Sequence, residues 1–294
     1  MNKILIFGGS GSLGQAVFKE LNPFFDVYST YYSQIHFKKN KRYFYFNISN
    51  EFNDLLKKTN PNLIISSLKG DFDLQITFHE KLIKYCEENK IKLLFISSLN
   101  VFDFFTNFPS YENDKTFSNS IYGKVKINIE NKILRMKTDN WAILRSAMLF
   151  DNESTRLKNL INDIKHSIPI EIFPNLIINI NSSEILAKQI HYIISRKLNG
   201  IFHHGSKDLI NHDEFIFSII KNKNLKQVKK ALLDRYNIGL VFEAENSSDL
   251  IKKLFKLYLD EGLRMKLSEN CTHAIKNHLN NDIISKELIT HYEK

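Results

Sequence analysis

KILIFGGSGSLGQAVFKEL, residues 3–21, is the stretch of sequence that decides the fold. KILIF is an apolar run of strand length, and LGQAVFKEL has the apolar spacing of a helix that stops before Pro23. The 294 residues include only 10 glycines, and four of these fall between residues 8 and 14. This local concentration of a scarce residue indicates a specific task for the turn. Three of the glycines have the spacing GxxGxxG: Gly8, Gly11 and Gly14.

Each glycine of this spacing has a physical role in a turn between a strand and a helix. Gly8 permits a tight turn, Gly11 lets the backbone approach a pyrophosphate, and Gly14 lets the helix pack against the sheet. The amino end of the helix then faces the phosphates with its unpaired N–H groups. The pattern predicts dinucleotide binding, and a glycine-rich turn without a ligand is the alternative.

Downstream of the turn, strand and helix patterns continue to alternate. This alternation predicts an α/β fold with a doubly wound parallel sheet and helices on both faces. The predicted strands are residues 3–7, 26–31, 43–48, 62–66, 92–98 and 141–146, and the predicted helices are residues 12–21, 50–58, 76–90 and 118–136.

The alternation loosens after residue 150. Residues 151–220 contain candidate helices (154–166 and 183–197) and short candidate strands (169–173, 177–180 and 200–204), a pattern that suits a small substrate lobe. We therefore predict a domain over residues 1–220 that includes this lobe. A basic linker at 221–236 and a tail at 237–294 with two amphipathic helices, 247–259 and 261–279, follow it.

The composition excludes several classes of protein. A chain that is 43% hydrophobic and 25% charged is neither disordered nor fibrous. The net charge of +9 is spread thinly along the chain, so no nucleic-acid partner is expected. No apolar run approaches the roughly 20 residues of a membrane span, and we expect a cytoplasmic protein. Cys86 and Cys271 lack the spacing of metal ligands, so no metal site is expected.

The end of the second predicted strand bears on the choice between the two nicotinamide cofactors. An acidic side chain at this place accepts hydrogen bonds from the ribose 2′-hydroxyl of NAD. Here Thr30 is followed by uncharged residues 31–33 (YYS), and cations follow in residues 36–39 (HFKK). A 2′-phosphate would meet no repulsion, so NADP(H) is favoured over NAD(H).

Tyr122 and Lys126 lie four residues apart in a predicted helix, so both project from one face. A nearby ammonium stabilises a phenolate and lowers the pKa of a tyrosine, which lets the tyrosine exchange a proton with a carbonyl or an alcohol near neutral pH. FISS, residues 95–98, brings Ser98 to the carboxyl edge of the sheet, where ligands of such folds bind. Its hydroxyl can hydrogen-bond a substrate oxygen there.

Taken together, these segments resemble the extended short-chain dehydrogenase/reductase superfamily and, within it, the dTDP-4-dehydrorhamnose reductase family. The resemblance covers about residues 1–220. The matching segments are ISSLNVFDF (96–104), an acidic loop with Pro109, Glu112 and Asp114, YGKVKINIE (122–130), LRSAMLF (144–150) and GIFHHGS (200–206). Within the first segment, one departure lies at Leu99 and Asn100, where the family has Asp-Tyr.

The resemblance implies a role for individual residues. Ser98 matches the catalytic hydroxyl residue, Tyr122 the general acid, and Lys126 its partner, which also holds the nicotinamide ribose. Ser97 is expected to be structural. The implied cofactor site comprises Gly8, Gly11, Ser12, Leu13, Gly14, Thr30, Asn47 and Ile48, together with Tyr122 and Lys126.

The tail from Asn237 resembles the carboxyl end of a retaining glycosyltransferase with two Rossmann-like lobes. The resemblance begins after the donor-binding glutamates of such enzymes, so it implies no transferase site. An amphipathic appendage that packs on the reductase or on a partner is the simpler interpretation.

The expected function is NAD(P)H-dependent reduction of a nucleotide-activated 4-keto sugar in surface polysaccharide biosynthesis. Two alternatives stay open: a nucleotide-sugar epimerase or dehydratase of the same superfamily, and a non-catalytic NAD(P)-binding regulatory or scaffold subunit. The expected partner is the nucleotide sugar, and the sequence leaves a homo-oligomer open.

Overall fold

A seven-stranded parallel sheet forms the centre of the computed structural model, which describes residues 2–104, 109–151, 154–166, 168, 170, 172–173, 176–222 and 247–277. Its strands are β1 (Lys3–Phe7), β2 (Asp26–Tyr31), β3 (Tyr43–Tyr45), β4 (Leu63–Ser66), β5 (Lys92–Ser98), β6 (Trp141–Ser146) and β10 (Gly200–His204). Their order across the sheet is β10-β6-β5-β4-β1-β2-β3. The order reverses beside β1, so the predicted doubly wound parallel sheet is confirmed.

Helices flank this sheet and continue into the carboxyl-terminal part of the chain. They are α1 (Ser12–Leu21), α2 (Asn53–Thr59), α3 (Phe72–Glu88), α4 (Ile121–Ile133), α5 (Thr155–Lys165), α6 (Ser183–Ser195), α7 (His212–Asn222), α8 (Ser247–Leu259) and α9 (Glu261–Asn277). Two pairs of two-residue strands complete the described structure: β7 (Met148–Leu149) with β9 (Ile180–Asn181), and β8 (Ile177–Ile178) with β11 (Ile210–Asn211).

Both faces of β1 are buried, which explains why KILIF is apolar without alternation. Ile4 and Ile6 point into one apolar layer, which α1 and α6 cover. Leu5 and Phe7 point into the other, which contains apolar residues of α3 and α4. The sheet is therefore held by a hydrophobic layer on each face.

Several element boundaries differ from those predicted, and at three of them a side chain explains the difference. β3 ends at Tyr45 because Asn47 turns the chain by accepting hydrogen bonds from Ser49. α3 begins at Phe72 rather than at residue 76, since the Asp71 carboxylate accepts a hydrogen bond from the Leu74 N–H and caps the helix. α4 begins at Ile121 rather than at 118 because the Ser120 hydroxyl caps it.

Residues 183–204 extend the sheet-bearing part of the molecule. β10 pairs with β6, and α6 packs against α1. The chain divides into two compact units: residues 1–158 with 175–211, and residues 159–174 with 212–294. In the second unit, Ile164 of α5 packs with Ile216 and Ile220 of α7.

The predicted tail helices match α8 and α9 over the residues that the structure describes. Most of the predicted linker and the start of the tail (223–246), together with the end of the tail (278–294), lie outside the described residues. For the predicted strand at 169–173, the described positions 170, 172 and 173 are not in a strand. Across the described part of the chain, no helix has the length and apolarity to cross a membrane.

Candidate active site

The glycine turn between β1 and α1 is built for close backbone packing. Gly8 has φ +84°, a left-handed conformation that favours glycine. A Cβ on Gly14 would lie 2.3 Å from the Gly8 carbonyl oxygen, so only glycine lets α1 approach the turn. A Cβ on Gly11 would meet only that same oxygen, at 3.5 Å, and Gly11 is exposed. The turn therefore leaves open space at Gly11, the position predicted to approach a pyrophosphate.

The amino end of α1 fits an anionic group. Gly11 is its N-cap and makes no side-chain cap, so the first-turn N–H groups point outward. Ser12 is exposed and donates its hydroxyl hydrogen to the Asp151 carboxylate over 2.9 Å, and Leu13 is half-buried against the apolar layer under α1 and α6. Asp151 also accepts hydrogen bonds from the N–H and hydroxyl of Ser183, so it ties the start of α1 to that of α6.

Thr30 lies at the end of β2 and is buried. Its hydroxyl accepts a hydrogen bond from the Gly8 N–H over 3.0 Å, and its carbonyl accepts one from the Ser10 N–H. Gln34, farther along, donates its amide to the Ser10 carbonyl over 2.8 Å. The structure thus places Thr30 where it shapes the glycine turn, and the segment after β2 is fixed beside that turn.

The segment after β2 forms a short 3-10 turn, Ile35–Lys39, whose basic side chains are exposed. Asn47 and Ile48 follow β3 at the same edge of the sheet. Asn47 uses its side-chain oxygen to hold Ser49, and Ile48 packs against the apolar layer under α3 and α4. The predicted adenosine-binding residues therefore share one edge, although the side chains of Thr30 and Asn47 both make internal hydrogen bonds.

Ser98 ends β5 and is 9% exposed. Its hydroxyl donates to the Asn100 side-chain oxygen over 2.8 Å and accepts from the Asn100 backbone N–H over 3.2 Å. A Cβ on Gly123 would lie 2.5 Å from the Asn100 carbonyl oxygen, so this strand end packs directly against the first turn of α4. That contact brings Ser98 to the end of the helix that carries Tyr122.

Tyr122 and Lys126 occupy one face of α4, as predicted from their spacing. The Tyr122 side chain is 40% exposed, whereas Lys126 is 4% exposed. The Lys126 ammonium lies 5.6 Å from the centre of the Tyr122 ring and donates to the Ile96 carbonyl over 3.1 Å. Burial lowers the pKa of Lys126 to about 8, although the nearby Glu130 opposes this shift. A buried cation thus faces the tyrosine ring beside the strand that ends at Ser98.

A buried ion pair behind Lys126 was not identified from the sequence. The Arg145 guanidinium donates to the Glu130 carboxylate over 2.8 Å, and each side chain is only 2% exposed. Ser97, expected to be structural, donates to Glu130 over 2.5 Å. Two signals could have revealed the pair: Glu130 lies one turn beyond Lys126 on the same helix face, and Arg145 is a charged residue within an otherwise apolar strand.

The acidic loop reaches the same cluster through Glu112. Its carboxylate accepts the His203 N–H over 3.0 Å, and its carbonyl accepts a hydrogen bond from Arg145 over 3.0 Å. The hydrogen bond from the His203 backbone holds the pKa of Glu112 below its ordinary value, and burial lowers the pKa of His203. Arg145 and His203 are register neighbours on β6 and β10, so the loop is attached to the carboxyl edge of the sheet.

Comparison with known proteins agrees with this architecture. The family model described as the RmlD substrate binding domain matches residues 1–236. No sequence among curated proteins matches this chain. The matched range ends where the tail begins, so the glycosyltransferase resemblance of residues 237–294 stays a prediction.

Solved structures show the same fold at low sequence identity. A dTDP-4-dehydrorhamnose reductase from Clostridium acetobutylicum is 22% identical, with a TM-score of 0.61 over 76% of this chain and 81% of that one. The Bacillus anthracis dTDP-4-dehydrorhamnose reductase in complex with NADP is 20% identical, with a TM-score of 0.63 over 76% and 82%. The dTDP-glucose 4,6-dehydratase of that organism, in complex with NAD, is 12% identical, with a TM-score of 0.67 over 76% and 82%.

The family match spans most of the chain and includes the glycine turn, the strand end at Ser98 and the helix that bears Tyr122 and Lys126. It confirms the family resemblance that the motifs at residues 96–150 indicated. This chain belongs to the RmlD substrate binding domain family, within the extended short-chain dehydrogenases/reductases.

Proposed function

We propose that this chain is an NAD(P)H-dependent reductase of a nucleotide-activated 4-keto sugar, similar to dTDP-4-dehydrorhamnose reductase. The observation that carries the proposal is the buried Lys126 ammonium 5.6 Å from the Tyr122 ring, beside the strand end at Ser98. Reduction of a ketone needs a proton donor for the new alkoxide, and this pair can supply it. The chain is thus an enzyme that acts on a sugar, as its family indicates.

When bound, the dihydronicotinamide supplies a hydride to the carbonyl carbon. Tyr122 then donates its hydroxyl proton to the carbonyl oxygen, which completes the alcohol and leaves a phenolate. The Lys126 ammonium stabilises that phenolate, and Ser98 stabilises the developing oxyanion by a hydrogen bond. Because Tyr122 is 40% exposed, solvent can return its proton.

NADP(H) is the cofactor that the adenosine end of the site favours. Among described residues 31–39 no acidic side chain is present, and His36, Lys38 and Lys39 are exposed beside the segment that Gln34 fixes to the glycine turn. A 2′-phosphate would find cations there and no carboxylate. The B. anthracis reductase of similar fold binds NADP, and the dehydratase binds NAD.

The proposed setting is the cytoplasmic synthesis of sugars for surface polysaccharides, with the nucleotide sugar as partner. We also propose that residues 1–220 form the reductase domain and that residues 237–294 form an appendage.

The test is oxidation of NADPH by the purified full-length chain in the presence of dTDP-4-dehydrorhamnose. Tyr122→Phe deletes the proton donor and little volume, so turnover should fall by about 100-fold or more while NADPH binding is kept. Wild-type turnover in Tyr122→Phe would contradict the assignment of Tyr122. NAD that stays bound through purification would favour the epimerase or dehydratase, and NADPH binding without turnover of a nucleotide sugar would favour a regulatory subunit.

A further inference from the structure

Ser98 uses its only hydroxyl hydrogen within the protein. That hydrogen points to the Asn100 side-chain oxygen over 2.8 Å, and the Ser98 oxygen accepts the Asn100 backbone N–H over 3.2 Å. A serine hydroxyl has one hydrogen and two acceptor positions. In this arrangement Ser98 has no hydrogen to donate to a substrate oxygen, so its proposed role requires a change at Asn100.

Asn100 is placed to make that change. It is exposed, whereas Ser98 is nearly buried, so its amide lies on the solvent side of the serine. Its backbone carbonyl packs against Gly123, next to Tyr122, and its backbone N–H stays bonded to Ser98. The backbone at Asn100 is thus held in place while its side chain can turn.

Rotation of the Asn100 side-chain amide by half a turn puts its NH₂ group, a donor, in the place of its oxygen, an acceptor. The Asn100 NH₂ group would then donate to the second acceptor position of Ser98, and the Ser98 hydrogen would be released towards the substrate oxygen. Two donated hydrogen bonds also polarise the serine hydroxyl and strengthen the bond that it donates.

We propose that Asn100 is a positioning residue that sets the direction of the Ser98 hydroxyl hydrogen and delivers it to the substrate oxygen. The inference rests on the proposed reductase function. Asn100 is one of the two residues, with Leu99, at which the segment at the end of β5 differs from the Asp-Tyr of the family that it resembles.

Two substitutions of Asn100 separate this role from a structural one. Asn100→Asp keeps the size of the side chain, but its carboxylate can only accept, so the Ser98 hydrogen stays directed at it. Asn100→Ala releases that hydrogen. With dTDP-4-dehydrorhamnose and NADPH, we expect kcat of Asn100→Asp to lie about 10- to 100-fold below that of Asn100→Ala. The activity of Asn100→Asp should recover as the pH falls and its carboxyl group becomes protonated, since the acid can donate.

The negative charge that Asn100→Asp adds is controlled for by repeating the substitution in a Ser98→Ala background. In the Ser98→Ala background, Asn100→Asp should cause no further loss of kcat beyond that of Asn100→Ala. A loss that persists without Ser98 would overturn the proposal, because the charge alone would then explain it. An Asn100→Ala variant as impaired as Asn100→Asp would overturn it as well, since that result fits a structural role.

A second measurement does not depend on turnover. Urea unfolding of Ser98→Ala, Asn100→Ala and the double variant should give non-additive losses of stability, because the two side chains share one hydrogen bond. Additive losses would overturn the inference. Failure of the wild-type chain to reduce the keto sugar would count against the proposed function instead, and the unfolding cycle would still decide whether Asn100 holds the Ser98 hydroxyl.

Discussion

At the scale of single residues, Gly11 and Gly14 have different tasks although both belong to the same spacing. A side chain at Gly14 would collide with the backbone of the turn, whereas a side chain at Gly11 would meet one atom at van der Waals distance. Gly11 also has φ −70°, which any residue adopts. The fold therefore requires glycine at position 14, whereas at position 11 only the proposed dinucleotide would require it.

Gly11→Val should weaken NADPH binding strongly and leave the fold intact. The added side chain enters the open space that a pyrophosphate would occupy, so we expect the Kd to rise about 100-fold or more while the thermal midpoint stays near that of the wild type. Isothermal titration and thermal unfolding measure the two effects. Gly14→Ala is the matched control, since it should lower the thermal midpoint first. An unchanged Kd in Gly11→Val would exclude this turn as the dinucleotide site.

His79 gives a residue-scale prediction about pH. It is fully buried, and its Nδ1 must donate to the Gln75 carbonyl over 2.6 Å, so its Nε2 accepts the Ser66 hydroxyl over 2.8 Å. Burial lowers the pKa of His79 to about 3. The unfolded state, with an ordinary histidine pKa near 6.5, therefore binds the proton more readily between pH 6.5 and 3.

The free energy of unfolding should consequently fall by about 2 kcal/mol between pH 7 and pH 5 on account of His79. His79→Gln cannot titrate, so urea unfolding of this variant should show a correspondingly smaller loss over the same interval. If His79→Gln and wild type lose the same stability over this interval, burial does not lower the pKa of His79.

At the scale of elements, the start of α4 decides where Tyr122 lies. The Asp103 carboxylate accepts hydrogen bonds from the Ser118 hydroxyl, the Asn119 N–H and the Ser120 hydroxyl, at 2.8, 2.7 and 2.5 Å. Burial acts to raise the pKa of Asp103, but these hydrogen bonds outweigh it and hold the pKa below its ordinary value. Since Ser120 caps α4, Asp103 fixes the helix that presents Tyr122 and Lys126.

Asp103→Ala should therefore lower kcat by about tenfold and the free energy of unfolding by about 1–3 kcal/mol, with little change in NADPH affinity. Steady-state kinetics, urea unfolding and NADPH titration measure the three quantities. Asn119→Ala is the control, because Asn119 contributes its backbone N–H to Asp103 and keeps it after the substitution. A wild-type kcat in Asp103→Ala would show that α4 holds Tyr122 without this anchor.

Physical reasons decide which elements and contacts could be predicted from the sequence and which could not. Strands such as 92–98 are short apolar runs without alternation, so their length and apolarity identify them. The start of α3 depends on one side-chain cap at Asp71, which a hydrophobic pattern does not show. The Glu130–Arg145 pair joins residues that are distant in sequence, and only the packing of α4 on the sheet brings them together. The arrangement of Asn100 against Ser98 is equally a product of the folded strand end.

At the scale of the whole molecule, the proposed site lies in one of the two compact units. Every candidate catalytic and cofactor-binding residue falls between Gly8 and Lys126, in the unit that carries the central sheet. The helices α8 and α9 belong to the other unit. Sequence periodicity located these helices. It could not show that β10 joins the main sheet or that α6 covers it, because β10 does so by pairing with β6 and α6 by packing on α1.

Removal of the tail after Tyr236 therefore tests whether it has chemistry of its own. The truncated chain lacks α8 and α9, including the buried Leu267. Its thermal midpoint or soluble yield should fall, because the chain loses the apolar burial of these helices, while kcat and the preference between NADPH and NADH stay within about twofold of the wild type. Full-length and truncated chains should both fail to hydrolyse or transfer a donor sugar nucleotide.

Tyr122→Phe in the full-length chain is the control that separates keto-sugar reduction from sugar transfer. Sugar transfer that survives Tyr122→Phe and disappears on truncation would establish a second active site in the tail, in agreement with the glycosyltransferase resemblance and against a packing role.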